Sequence, residues 1–314
     1  MPFVSLQESG LTPLWTDRPD VGAGLRSRFA SGAVPPEDLN DLMHFAEHGW
    51  IVFPGAVEPK LVDAFVADIH RYHEFPGMFV TTDHKRGLSG QRLSEDKPDR
   101  FESLFDLYVN FPSSRAVCMH PRIVRFLRHV FEAPPLAFQQ LLFQRSNGHG
   151  IHQDPSVVAV EEPLWLAASW VALQDIVEGS GELAFFDRSH RLPQYMFADG
   201  SKRFDPKKDS RSEYEAALAE ACKGLKYERF MAKKGDVFIW AADLVHQSHP
   251  RTMAEDTPRL SCVTHYCPTT TTPFWNRFHP DKTGRMPHGD SGEFASLYYN
   301  LPKPEGMIAP TWKF

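Results

Sequence analysis

From about residue 135 onward the chain alternates short β-rich runs with turn signals, and this texture restricts the fold more than any other feature. The runs are LAFQQLLFQ (136–144), LWLAASWVALQD (164–175), GELAFF (181–186), YERFMA (227–232), GDVFIWA (235–241) and RLSCVTHYC (259–267). Between them stand SNGHG, EGSG, KKGD and HPRTMAEDTP, rich in the residues that start and tighten turns. Many short strands with Gly/Pro turns and few helices predict a sandwich or a closed antiparallel barrel. One helical stretch, RSEYEAALAEACKG (211–224), interrupts the series.

The first third reads mainly helical. PPEDLNDLMHFAEHG (35–49) carries Leu39, Leu42, Phe45 and Ala46 on one stripe, with prolines at its start and Gly49 to end it. EPKLVDAFVADIHRYHEF (58–75) and PRIVRFLRHVFE (121–132) space apolar residues the same way, and WIVFPG (50–55) reads as a short buried strand. No linker separates two compositional halves. The chain is therefore read as one domain over 1–314: helical support and substrate wall in 1–135, a β core in 136–267, and a proline- and aromatic-rich cover in 268–314.

Charge and cysteine content narrow the function classes. A formal net charge of -6 with scattered basic residues gives no electrostatic footprint for nucleic acid. KRFDPKKDSR (202–211), interleaved with acids, reads as a solvated loop. No apolar run approaches the roughly 20 residues that cross a bilayer, and the N-terminal stretch lacks the basic start and apolar core of a signal peptide. Cys118, Cys222, Cys262 and Cys267 do not form a secreted disulfide framework in a chain of 314 residues, and C-x4-C on a strand suits a zinc knuckle poorly. Reduced, packed thiols and a cytoplasmic location are expected. The oligomeric state is left open.

GHGIHQDPS (148–156) carries the first chemical signal. On a strand, His152 and Asp154 would point the same way, bringing an imidazole and a carboxylate within reach of one ion. Two histidines and one carboxylate with open positions suit Fe(II) in non-haem oxygenases. The third ligand is expected in GDVFIWAADLVHQSHPR (235–251), where an apolar strand leads to His246. His249 is the rival, but it precedes Pro250 at the start of a turn. Gln153 points the other way and has no ligand role. Arg259 opens a later strand. Facing inward, it must meet an anion, and its planar fork suits a carboxylate. Arg251 lies in the intervening loop and is the weaker candidate.

These ordered elements resemble the phytanoyl-CoA dioxygenase (PhyH) family of Fe(II)/2-oxoglutarate oxygenases, across roughly residues 138–267. HQD is followed by SWVALQDIVEGSGELAFFDRSHR, similar to the family's tract of tryptophan, Ala-Leu-x-Asp, glycine turn and Gly-Ser-His. Asp187-Arg188 stands where Pro-Gly is common, a departure in a turn and not in a ligand. The resemblance implies a double-stranded β-helix (jelly-roll) core with flanking N-terminal helices. It assigns His152, Asp154 and His246 to iron and Arg259 to the distal carboxylate of 2-oxoglutarate. Ser248 would add a hydroxyl there, Trp170 would line the cosubstrate pocket, and Gln140, rather than Gln139, would contact 2-oxoglutarate. Gln144 would share the face of Gln140.

The implied cofactors are Fe(II), 2-oxoglutarate and O2, and the partner is a small-molecule substrate. Related halogenases carry a small residue in place of the carboxylate, so Asp154 predicts hydroxylation with release of succinate and CO2. A noncatalytic or other-metal jelly-roll binding protein is the alternative reading. Two stretches are candidate lids, 73–106 and 191–209. Arg86, Arg92 and Arg100 in the first are read as solvated charges.

Overall fold

In the computed structural model the described residues are 2–71, 74, 78–83, 88–92, 103–146, 148–254 and 257–301. The chain opens with β1 (Phe3–Val4), α1 (Leu6–Ser9), α2 (Val21–Ala30) and α3 (Pro36–His48), then β2 (Trp50–Phe53) and α4 (Pro59–His70). β3 (Val80–Asp83), β4 (Leu88–Arg92) and β5 (Ser103–Phe105) lead to α5 (Pro112–Cys118) and α6 (Pro121–Phe131). The second half holds β6 (Pro135–Phe143), β7 (Ala167–Ala172), β8 (Leu183–Phe186), β9 (Gln194–Tyr195), α7 (Arg211–Ala221), β10 (Tyr227–Phe230), β11 (Val237–Ala241), β12 (His246–Ser248) and β13 (Ser261–Pro268). β14 (Met286–Pro287) and β15 (Glu293–Phe294) close the described chain.

The expected helices form for the expected reasons. α3 begins at a proline, carries Glu37 and Asp38 against the positive end of its dipole, and buries Asp38, Leu42, Phe45 and Ala46. It stops at Gly49, whose φ of +81° is left-handed backbone. A Cβ there would meet His190 Nδ1 at 2.3 Å, so conformation and space both require glycine. α4 and α6 also start at prolines and bury Val62, Phe65 and Ile69, and Ile123, Val124, Leu127 and Val130, respectively.

Two sheets face one another. The large one runs β2-β11-β7-β13-β6-β5-β3-β4, with β15 pairing parallel to β6 and β14 pairing β15. The small one is β10-β8-β12, all antiparallel. Helices cover the outer face of the large sheet: Phe45, Val62, Phe65, Ile123 and Leu127 share one apolar cluster with Leu142, Val171, Ile239, Cys262 and Tyr266. The inner face meets the small sheet through Trp170, Phe238, Trp240 and Val263 against Leu183 and Phe185. This is a jelly-roll double layer with flanking helices, as the resemblance implies.

The N-terminal part is less purely helical than expected. It supplies β2 to one edge of the large sheet and β3, β4 and β5 to the other. These strands have three to five residues and are too short to show a period in the sequence. The tail contributes β15 and buries Phe294 and Tyr299. No helix among the described residues is long and apolar enough to cross a membrane, and all four cysteines are unpaired and buried.

Candidate metal centre and its cavity

His152 and His246 are joined by a reciprocal pair of backbone hydrogen bonds, His152 N to His246 O and His246 N to His152 O, each 3.0 Å. This bridge adds residue 152 to the edge of the small sheet beside β12. Asp154 is not on a strand, as the sequence reading supposed. It opens a 3-10 turn over Asp154–Ser156, because Pro155 has no N–H for a ladder and is tolerated in the first turn of a helix. The carboxylate still turns toward the imidazoles. Asp154 Oδ1 stands 3.9 Å from His152 Nε2 and 3.5 Å from His246 Nε2. One ligand atom from each of the three lies within 4.8 Å of the others, so the trio could hold one ion.

Each candidate ligand is oriented from behind. His152 Nδ1 donates to Gly150 O at 2.7 Å, and His246 Nδ1 donates to Leu244 O at 2.9 Å. A carbonyl only accepts, so both rings carry their proton on Nδ1 and present bare Nε2 lone pairs. Trp240 Nε1 donates to Asp154 Oδ2 at 2.8 Å, leaving Oδ1 for the ion. Burial, with His246 adding to it, pushes His152 well below the ordinary imidazole range, which keeps the neutral form. Burial alone would raise Asp154, but the facing imidazoles of His246, His265 and His152 hold it below the usual carboxylate range. Neutral imidazoles and an ionised carboxylate are the donor set a divalent cation needs.

A polar cluster that the sequence did not suggest ties the two ligand segments together. Gln153 Nε2 donates to Asp243 O at 2.8 Å, and the Tyr214 hydroxyl accepts from Gln153 N at 3.0 Å. Lys202 Nζ lies 2.9 Å from Asp243 Oδ1 and donates to Gln153 Oε1 at 3.3 Å and Gln194 Oε1 at 3.0 Å. Lys202 is 3% exposed, so the 202–211 stretch is not wholly the solvated loop expected. Gln153 has no ligand role, as read, and instead forms the back wall.

In front of the trio opens a cavity of about 690 Å³, within the range of small-molecule sites. Arg259, Ser248 and Trp170 line it. Arg259 is 4% exposed, its Nε has no hydrogen-bond partner, and its guanidinium carbon lies 5.9 Å from the ring centres of both Phe143 and Trp170. Burial and the neighbouring Arg251 bring it down to about 10, so it stays charged at neutral pH. Glu182, the carboxylate that favours its charge, is committed to Arg229 at 3.1 Å. Such a cation calls for an anion.

The rival residues fall elsewhere. His249 Nδ1 meets the Tyr227 hydroxyl at 2.8 Å, away from the trio, and Arg251 holds the carbonyls of Ala254 and Thr257 in its own loop and of Ser180 in the turn before β8. Gln140 requires a correction. It points out of the cavity into the helical layer, where Ser114 Oγ donates to its Oε1 at 2.8 Å. Gln139 lines the cavity instead. Gln144 is not among the lining residues; its carbonyl accepts from Arg259 N.

Of the candidate lids, Thr82, Ser103 and Phe105 from the first line the cavity, whereas no residue of 191–209 does. Arg86, Arg100 and the side chain of Arg92 lie outside the described residues. The sequence reading also missed Trp240 and His265. Trp240 lies near the end of β11, before the turn that leads to His246, and His265 lies inside β13 beyond Arg259, so no single strand's alternation pointed to either.

A jelly-roll with two bare imidazole nitrogens, one carboxylate and a buried cation beside them defines a metal-dependent enzyme that takes an anionic cosubstrate. The sequence matches the family described as phytanoyl-CoA dioxygenase (PhyH) over residues 45–256, and the chain belongs to that family. It is a 2-oxoglutarate-dependent non-haem iron oxygenase, with Fe(II) and 2-oxoglutarate as its cofactors. Among solved structures it is similar to the epimerase SnoN in complex with Fe3+, alpha ketoglutarate and nogalamycin RO, at 21% identity and a TM-score of 0.58, covering 82% of this chain and 96% of that one. It is also similar to EctD from S. alaskensis with 2-oxoglutarate and 5-hydroxyectoine, at 16% identity and a TM-score of 0.57, covering 74% and 76%. A third is the carbocyclase SnoK from nogalamycin biosynthesis, at 16% identity and a TM-score of 0.52, covering 77% and 87%. No curated protein sequence matches this one.

Proposed function

We propose that the chain hydroxylates an unactivated carbon of a small metabolite or natural-product intermediate, releasing succinate and CO2, with residues 1–314 acting as one oxygenase domain. His152, Asp154 and His246 hold Fe(II), which when bound supplies the oxidising chemistry with 2-oxoglutarate and O2. Arg259 takes the distal carboxylate of 2-oxoglutarate, aided by the Ser248 hydroxyl, while Trp170 forms the wall behind and Gln139 takes the place expected for Gln140. The observation that carries this reading is the pairing of a convergent His-Asp-His trio with a buried, anion-seeking guanidinium in one cavity.

The chain's own part is to bind, orient and exclude. Gly150 and Leu244 carbonyls and the Trp240 indole fix the ligand atoms, and the apolar wall of Leu141, Phe143, Val158, Leu183 and Val263 keeps water from the reacting region. Thr82, Ser103, His149, Arg211 and Gln247 give the remaining wall a polar side, which suits a substrate bearing hydroxyl, amine or acid groups. Asp154 supports hydroxylation over halogenation, because a carboxylate fixed by Trp240 occupies the place a halide would need. Four buried thiols accord with a cytoplasmic location.

Anaerobic titration with Fe(II) and then 2-oxoglutarate tests the reading: a visible charge-transfer band is expected, followed on aeration by succinate release. A chain that binds metal without the band is the ligand-binding or other-metal jelly-roll. Product mass settles the outcome, since hydroxylation adds one oxygen, whereas the fold is shared with an epimerase and a carbocyclase.

A further inference from the structure

His265 stands beside the trio with no task assigned to it. It lies in β13, opposite Gln139 in β6, and is 3% exposed. Its Nε2 is 3.7 Å from Asp154 Oδ1, beyond hydrogen-bond reach, and its Nδ1 has no partner. A histidine that merely packs in a core has at least one ring nitrogen bonded, as His190 does through Nε2 to Ala46 O. His265 instead lines the cavity with Nδ1 unpartnered and with Nε2 turned toward the Asp154 carboxylate at the metal trio.

Its place along the strand says what would meet it. Arg259, Val263 and His265 all line the cavity, at even spacing along the chain leading through β13. Arg259 stands at one end, and His265 stands at the other, next to Asp154. A 2-oxo diacid with its far carboxylate on Arg259 and its keto-acid end at the trio therefore lies along β13 and brings its C1 carboxylate to His265. This inference rests on the oxygenase reading.

We propose that His265 Nε2–H donates a hydrogen bond to the C1 carboxylate of 2-oxoglutarate and so fixes which way the keto-acid end is presented at the metal. A carboxylate only accepts, so His265 carries its proton on Nε2, the tautomer opposite to that of His152 and His246. Its neighbour Gln139 faces the same space from β6. Asp154 Oδ2 is already held by Trp240, so Asp154 does not depend on His265 for orientation.

The test uses the full chain with His265→Leu and His265→Gln, measuring Fe(II) affinity alone by chelator competition and 2-oxoglutarate affinity by the anaerobic band. In His265→Leu, Fe(II) affinity stays within about twofold, the 2-oxoglutarate dissociation constant rises about tenfold, a loss typical of one charge-assisted hydrogen bond, and the band maximum moves. His265→Gln places an amide N–H near the Nε2 position and recovers most of both. Should the leucine variant not fold, His265→Asn serves, since its amide reaches only the Nδ1 position and behaves as leucine does. A parallel loss of Fe(II) affinity makes His265 a support for Asp154, and no change in either constant makes it packing; each overturns the proposal. A wild-type protein that binds Fe(II) but forms no band overturns the oxygenase reading itself. A wild-type band unaltered in His265→Leu overturns only the role of His265.

Discussion

Behind the histidine pair, Gln153, Lys202, Asp243 and Tyr214 form a buried cluster in which each side chain meets another group of the protein. In front, Arg259 and His265 line a cavity, and neither Arg259 Nε nor His265 Nδ1 has a hydrogen-bond partner. Both regions are equally buried, so burial does not separate them; charge pairing does, since Lys202 meets Asp243 at the back whereas Glu182, the carboxylate that favours the Arg259 charge, is held by Arg229. A buried cation without a carboxylate of its own is costly, so a cavity wall that carries one is built for an anion that arrives. On the proposed reading the front is completed by the anionic cosubstrate.

The largest effect belongs to the trio that divides the two regions. Asp154→Ala or His246→Ala removes a ligand atom from the only such trio among the described residues. Succinate release is expected to fall to background and the anaerobic band to vanish. Residual turnover near wild type in either variant would break the comparison at its base.

Arg259→Met sharpens the contrast, because its two expected effects have opposite signs. The dissociation constant for 2-oxoglutarate rises by about 100-fold or more, as when one partner of a buried charge pair is lost. The apo protein meanwhile gains stability, by about 1–4 kcal/mol, because a buried cation gives way to an apolar chain of similar length. Thermal melts with and without 2-oxoglutarate check both at once. A destabilised apo variant would mean that Arg259 is already paired and that the front is not waiting for an anion.

Lys202→Met makes the converse test at the back. It strands Asp243 in a buried site, which costs about 3–5 kcal/mol of stability. Fe(II) affinity falls about 10- to 100-fold, because Lys202 no longer ties Gln153 Oε1 to the Asp243 carboxylate behind the two ligand segments. The 2-oxoglutarate constant of the metal-saturated protein stays near wild type. Adding Asp243→Asn to Lys202→Met restores much of the stability, because the stranded charge is gone. If 2-oxoglutarate affinity drops in the metal-saturated Lys202→Met protein, the two regions are one.

What the sequence made legible follows from range. Turn residues and apolar alternation are local, so the six strand-like runs became β6, β7, β8, β10, β11 and β13. HQD, His246 and Arg259 were legible because their order along a jelly-roll is fixed by topology. The geometry of Asp154 was half legible. Strand alternation gave the right neighbourhood for the wrong reason, since Asp-Pro signals a turn and a turn is what forms. Lys202 was illegible. Its stretch alternates charges as a solvated loop does, and only contact with Asp243, 41 positions away, buries it. β3 to β5 were invisible because strands so short are stabilised by their partners more than by their own pattern.

Gln139 and Gln140 show that limit at one residue, and they supply the smallest test. In LAFQQLLFQ either glutamine can face inward, depending on where alternation begins. β6 carries an extra residue, Phe138, between the pairs His265↔Gln139 and Tyr266↔Ala137. Such a bulge reverses the parity of everything beyond it, and no pattern within the run reveals it. On the near side of the bulge Gln139 alternates with Leu141 and Phe143 and joins His265 on the cavity wall, while Gln140 turns to Ser114. Gln139→Ala is expected to weaken 2-oxoglutarate about three- to tenfold with little change in melting, as loss of one exposed-to-ligand hydrogen bond would. Gln140→Ala leaves the 2-oxoglutarate constant unchanged and costs about 1–3 kcal/mol of stability, because Ser114 Oγ loses its buried acceptor. The reverse pattern would place the bulge elsewhere and turn the inner face of β6 by one residue.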